Sequence, residues 1–139
     1  MTPRRHRRVS VPKSRKSDYA RVAENFYKGA EVAKEFEYCN AAGVLIVHSA
    51  IAYTDALTIK FGGVKSKGED HMAAVDLLRQ VVALDEQGEA ATRHLERIIN
   101  EKNRVSYEGE VYTKKDVANL WKHLLRYQAW TVSMLEHGF

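Results

Sequence analysis

Cysteine is nearly missing from this chain of 139 residues. The one present, Cys39, excludes an intrachain disulfide framework and suits a reducing, cytoplasmic compartment. Proline is almost as scarce: Pro3 and Pro12 are the only two, so nothing after residue 12 carries the residue that most effectively breaks a helix. The first 17 residues contain no acid. Long uninterrupted apolar runs are also lacking, because the longest, Ala41 to Ile59, contains His48 and Asp55, whose burial in a bilayer is costly. That run therefore reads as a core helix and not as a membrane span. The basic N-terminus leads into the polar stretch Ser14 to Asp18 and not into an apolar segment, so it does not read as a signal peptide. His71, His94, His123 and His137 show no metal-ligand spacing, and neither a metal nor a cofactor is expected.

What is there is the composition of an ordinary folded domain, 45% hydrophobic and 29% charged, with the charge unevenly divided. Seven of the 22 basic residues lie in residues 1–17, which leaves 15 against 18 acids, so the remainder is about −3 and the formal +4 comes from the terminus. Residues 1–17 are read as a basic flexible arm and residues 18–139 as one helical domain. Arg4, Arg5, Arg7 and Arg8 are candidates for holding nucleic-acid phosphates. A solvated tail that aids solubility is the other reading.

Periodicity places five helices. Ser17 caps a first helix with an apolar stripe of Tyr19, Val22, Phe26, Ala30, Ala33 and Phe36. A second, about Asn40 to Lys60 and apolar almost all round, ends at Gly62-Gly63; it is either central or buries a further face against a second subunit. The loop Gly63 to Gly68 lacks the spacing of a phosphate-binding loop. A third helix spans about Glu69 to Leu84, with Met72, Val75, Leu78 and Val82 on one face. A fourth, about Glu89 to Asn103, turns Ala91, Leu95, Ile98 and Ile99 inward. Thr113 opens a fifth, to about Glu136, with Asp116 completing an acidic form of the capping box. The only candidate for extended structure is Tyr107 to Tyr112. The fold class is all-α, an up-and-down bundle.

Between the fourth and fifth helices lies the polar hexapeptide Lys102-Asn103-Arg104-Val105-Ser106-Tyr107. Together with the run Ala50 to Leu57 and the order of helices over residues 18–136, it resembles the HEPN (higher eukaryotes and prokaryotes nucleotide-binding) domain family. Nucleases of that family carry an arginine followed four to six residues later by a histidine. Here Lys102 occupies the arginine slot and Tyr107 the histidine slot, so both catalytic letters are changed.

The resemblance implies a homodimer, metal-independent endoribonuclease ancestry, and a place in toxin and antitoxin pairs whose other half is a nucleotidyltransferase-fold protein. Catalytically silent members are binding or assembly domains. Metal-free RNA cleavage needs a base, an acid and a cation on the phosphorane oxygens, and a tyrosine with a pKa of about 10 is a poor base near neutral pH. If activity survives, Arg104, Lys102 and Tyr107 are the candidates. Asn103, His48, Asp55 and His123 are candidate ligand contacts, His123 because it and Arg126 share a helix that can approach the hexapeptide. The bland readings are equally specific: Lys102, Asn103 and Arg104 suit a helix C-terminus, Tyr107 suits packing, and His48 and Asp55 suit a hydrogen-bonded core. The expected function is a HEPN-like module binding nucleic acid or a nucleotide, without standard nuclease activity. A variant endoribonuclease and a purely structural protein partner are the alternatives.

Overall fold

The computed structural model describes residues 8–67, 70–106 and 108–137. It is an all-α bundle: α1 (Lys16–Glu35), α2 (Cys39–Gly62), α3 (Met72–Val81), α4 (Glu86–Asn100), a short α5 (Lys102–Ser106) and α6 (Lys114–His137). Every other helix packs on α2. From residue 52 to 59 each position of α2 is buried, which explains why this helix has no polar face. By length and composition α2 is apolar enough to cross a bilayer, yet 78% of its most apolar window is enclosed by the rest of the chain. It stops where Gly63 takes the left-handed conformation (φ 64°) and its N–H bonds the Ile59 carbonyl.

Caps set the other ends. Asp85 accepts from the Gly88 N–H at 2.8 Å, so Glu86 to Gly88 form the first turn of α4 and not a connection before it. At α6 the expected capping box closes in both directions: Thr113 N–H donates to Asp116 Oδ2 (2.9 Å), and Asp116 N–H to Thr113 Oγ1 (3.1 Å). Lys60 at the end of α2 donates to the Met134 and Leu135 carbonyls at 2.7 and 2.9 Å, satisfying the last turn of α6. In the core, Thr54 Oγ1 donates to the Ala50 carbonyl, so the Tyr127 hydroxyl, 2.6 Å away, donates to Thr54.

Three expectations need correction. The stripe of α1 is shifted at its edges: Ala30 and Ala33 are buried and Phe26 packs on the core as expected, but Ala23 takes the inward place of Val22, and Val22 and Phe36 face outward. The basic arm is structured from residue 8, since β1 (Arg8–Ser10) pairs antiparallel with β2 (Val64–Ser66) in the register Arg8↔Ser66, followed by a 3-10 turn at Lys13–Arg15. This strand pair, and not Tyr107 to Tyr112, holds the extended structure among the described residues. Finally, residues 102–106 of the hexapeptide form α5 itself. It docks where Gly43 leaves room: a Cβ there would collide with Val105 Cγ2 and lie 3.1 Å from the Tyr112 ring.

Candidate anion-binding site

Arg104 is where the sequence led first, and its charge is already committed. Its Nη1 lies 2.9 Å from Glu101 Oε2, its Nε bonds Glu110 Oε2, and its Nη2 stands 3.5 Å from Asp116 Oδ2. The guanidinium also sits 4.9 Å from the centroid of the Tyr112 ring. The hydrogen bonds it donates to Glu101 and Glu110 push its pKa upward. The Tyr112 hydroxyl donates to Glu101 Oε2 at 2.5 Å. Burial works to raise the Glu101 carboxyl, but the bonds from Tyr112 and Arg104 outweigh it and leave the pKa lowered. Asn40 laces the corner shut, donating to the Glu110 carbonyl (2.9 Å) and accepting from the Tyr112 N–H (2.9 Å). One guanidinium among three carboxylates is a structural knot of net negative charge, a poor host for phosphate. Arg104 as a phosphate fork is therefore corrected.

The other candidates scatter. Lys102 opens α5 close enough to His48 to disfavour a second positive charge there: the His48 pKa is lowered, by burial first and then by Lys102. His48 itself is exposed, its ring 5.8 Å from Phe26. Asp55, two turns on, is buried at 8% exposure, with Lys65 Nζ 3.9 Å from Oδ2. The two do not share a cleft, because β2 brings Lys65 over the second and leaves the first open. Arg8 bonds Gln80. Arg4, Arg5, Arg7, Tyr107 and the side chain of Asn103 lie outside the described residues.

His123 is the exception. Its Nδ1 lies 2.8 Å from Nδ1 of His94, with ring centroids 5.1 Å apart, at the seam between α4 and α6. His94 of α4 meets His123, and Arg104 of the following α5 meets Asp116 nearer the start of α6, so the chain from α4 into α5 runs antiparallel to α6. A cavity of about 370 Å³ opens at the histidines, lined by His94, Arg97, Asn119, Lys122, His123 and Arg126. A second, of about 270 Å³, shares Arg97, Asn119 and His123 and reaches Arg104. His123 thus lines the same cavity as Arg104 of the hexapeptide as well as the one at the histidines.

The groove at the histidines is cationic where the Arg104 corner is not. The acids on the far flank of α4, Glu89 and Glu96, are held by Arg79 at 3.4 and 3.1 Å. Among the described residues no carboxylate lies within ion-pairing distance of Arg93, Arg97, Lys122 or Arg126. Burial lowers the pKa of both histidines. Arg126, Arg97 and Arg93 lower His94 further, and on His123 the neighbouring His94, Arg97, Lys122 and Arg126 do the same. Burial and the surrounding cations thus both favour the neutral form of the rings.

No known protein family, curated protein or solved structure matches this chain. The groove, and not kinship, has to carry the functional argument. Its signal was in the sequence and was missed: Arg93-His94-Leu95-Glu96-Arg97 on α4 and Lys122-His123-Leu124-Leu125-Arg126 on α6 follow one pattern, basic-His-Leu-x-Arg. Leu95 and Leu124 are both fully buried, which turns each histidine to the seam and each flanking cation outward. Arginine and lysine four residues before another arginine on a helix repel by a few tenths of a kcal/mol. Arg97 of one segment and Lys122 and Arg126 of the other line the same cavity, so positive charge is concentrated there.

Proposed function

We propose that this protein is a HEPN-like binding or assembly module of the cytoplasm that holds nucleic acid or a nucleotide by its phosphates, without standard nuclease activity. The single observation behind this reading is the groove between α4 and α6, where Arg97, Lys122 and Arg126, without carboxylate partners among the described residues, surround the close pair His94 and His123. Arginine forks match phosphate oxygens in pairs, and the groove sits beside the hexapeptide that carries the family resemblance. Two features argue against retained nuclease chemistry: Arg104 is tied to three acids, and the slots at 102 and 107 hold lysine and tyrosine. The same reading includes a homodimer and a protein partner of the toxin and antitoxin kind.

The test is binding of a fluorescent single-stranded RNA over a range of salt. Each phosphate contact contributes about 0.7 to the slope of log affinity against log salt for single strands, so Arg97→Ala with Arg126→Ala is expected to lower the slope by about 1.4. Incubation of RNA in EDTA is expected to give no 2′,3′-cyclic ends. Unchanged binding in the double variant, or no binding at low salt, removes the phosphate reading and leaves a structural partner; EDTA-resistant cutting lost in Arg104→Ala restores the nuclease.

A further inference from the structure

Resting on that reading, we propose that the twin basic-His-Leu-x-Arg segments form a proton-coupled phosphate clasp: His94 and His123 take up a proton from solvent when a phosphate settles between Arg97 and Arg126. The geometry requires an adjustable pair. Two Nδ1 atoms 2.8 Å apart cannot both carry hydrogen, so one donates and the other offers its lone pair, and at least one ring is neutral. The groups facing the rings are Arg93 and Arg97 from α4, and Asn119, Lys122 and Arg126 from α6, all basic or neutral. Arg104 with its acids Glu101 and Asp116 stands beyond Arg97 in the connected cavity.

An entering phosphate reverses the balance. Its negative charge offsets the four cations that keep the rings neutral, and protonation becomes favourable. One proton is gained, no covalent bond changes, and the ring that accepted in the resting pair becomes a donor toward the anion. Because both Nδ1 atoms then carry hydrogen, the rings part, and the pair opens from a closed contact into two arms. Histidine suits this role because its ordinary pKa of 6.5 lies near neutrality and burial with the neighbouring cations lowers it here. The bound rings keep their proton to a higher pH than the free ones. The gain in affinity is therefore complete below the range of the free rings, beneath 6.5, and disappears as the pH rises through the range of the bound rings.

A short oligouridylate is the probe, since its phosphodiesters do not titrate between pH 5.5 and 8. At constant ionic strength the full chain is expected to bind it more tightly as the pH falls, by up to about tenfold per unit for one proton. The variant His94→Gln with His123→Gln is expected to bind with one affinity across the range. In the unaltered protein, NMR is expected to show the imidazole signals of His94 and His123 titrating at higher pH once the oligonucleotide is added, a readout that needs no variant. A flat profile, a slope that survives in the double variant, or imidazole titrations unmoved by ligand overturns the clasp while leaving phosphate binding intact. Failure to bind at pH 8 and low salt overturns both.

Discussion

Asp55 shows how one residue can matter to the fold more than to a ligand. Burial in the apolar helix pushes its carboxyl up to about 7, against the pull of Lys65, whose ammonium at 3.9 Å is too far to hydrogen-bond. A raised acid pKa means the folded chain holds a proton that the unfolded chain has lost. The associated stability is fully present below the ordinary 3.8 and is lost as the pH rises through about 7. The loss is on the order of 4 kcal/mol, at about 1.4 kcal/mol per unit. Asp55→Asn cannot ionise, so the difference in stability between the variant and the native chain should grow by that order between pH 4 and pH 8. Urea unfolding at both values checks it, and a constant difference would show that Asp55 ionises freely. From sequence the residue read first as a core group, with a cleft group as the alternative. Burial separates the two, and part of the cover at that position is Lys65 of β2, which is three residues long and leaves no periodic signal.

Among the elements, the long helices were legible because their apolar residues recur over three or more turns. Val75, Leu78, Leu95, Ile98, Val117, Leu120 and Leu124 are buried as their spacing predicts. On α1 the pattern held for Phe26, Ala30 and Ala33 and failed at Val22, because Ala23 beside it is the residue that contact with α2 buries. The five-residue α5 offers no period to read. Its position depends on Gly43, so Gly43→Ala is expected to force α5 and Tyr112 off α2 and to cost about 1 to 3 kcal/mol, as overpacking does. Chemical denaturation measures the loss. Stability unaltered by this change would mean that α5 can shift at no cost.

The whole molecule divides its surface into three. The groove between α4 and α6 is cationic, the Arg104 corner is acidic on balance, and α1 presents apolar side chains to solvent, with Val32 at 53% and Phe36 at 64% exposure beside Tyr38. The dimer argument from the apolar second helix changes accordingly: the C-terminal half of α2 is covered by its own chain, and a cluster of uncovered apolar residues, Val32, Phe36 and Tyr38, lies at the end of α1 and in the turn after it. In a homodimer built on that face, Val32→Glu with Phe36→Glu should shift the mass found by light scattering from two chains to one without unfolding the helices. A native chain that is monomeric at high concentration would remove the dimer from the proposed function.

Composition and periodicity were enough to establish that this chain forms helices around an apolar central one, because those properties are local and repeat many times. They also located the capping box at Thr113, whose two bonds span three residues. Which cations keep their charge for a ligand is a non-local matter. Arg104 resembled a phosphate fork until the fold brought Glu110 and Asp116 to it, and Arg97 resembled an ordinary surface residue until α6 brought Lys122 and Arg126 opposite it. Coulomb energy depends on distance through space, and distance between residues far apart in sequence is set by packing.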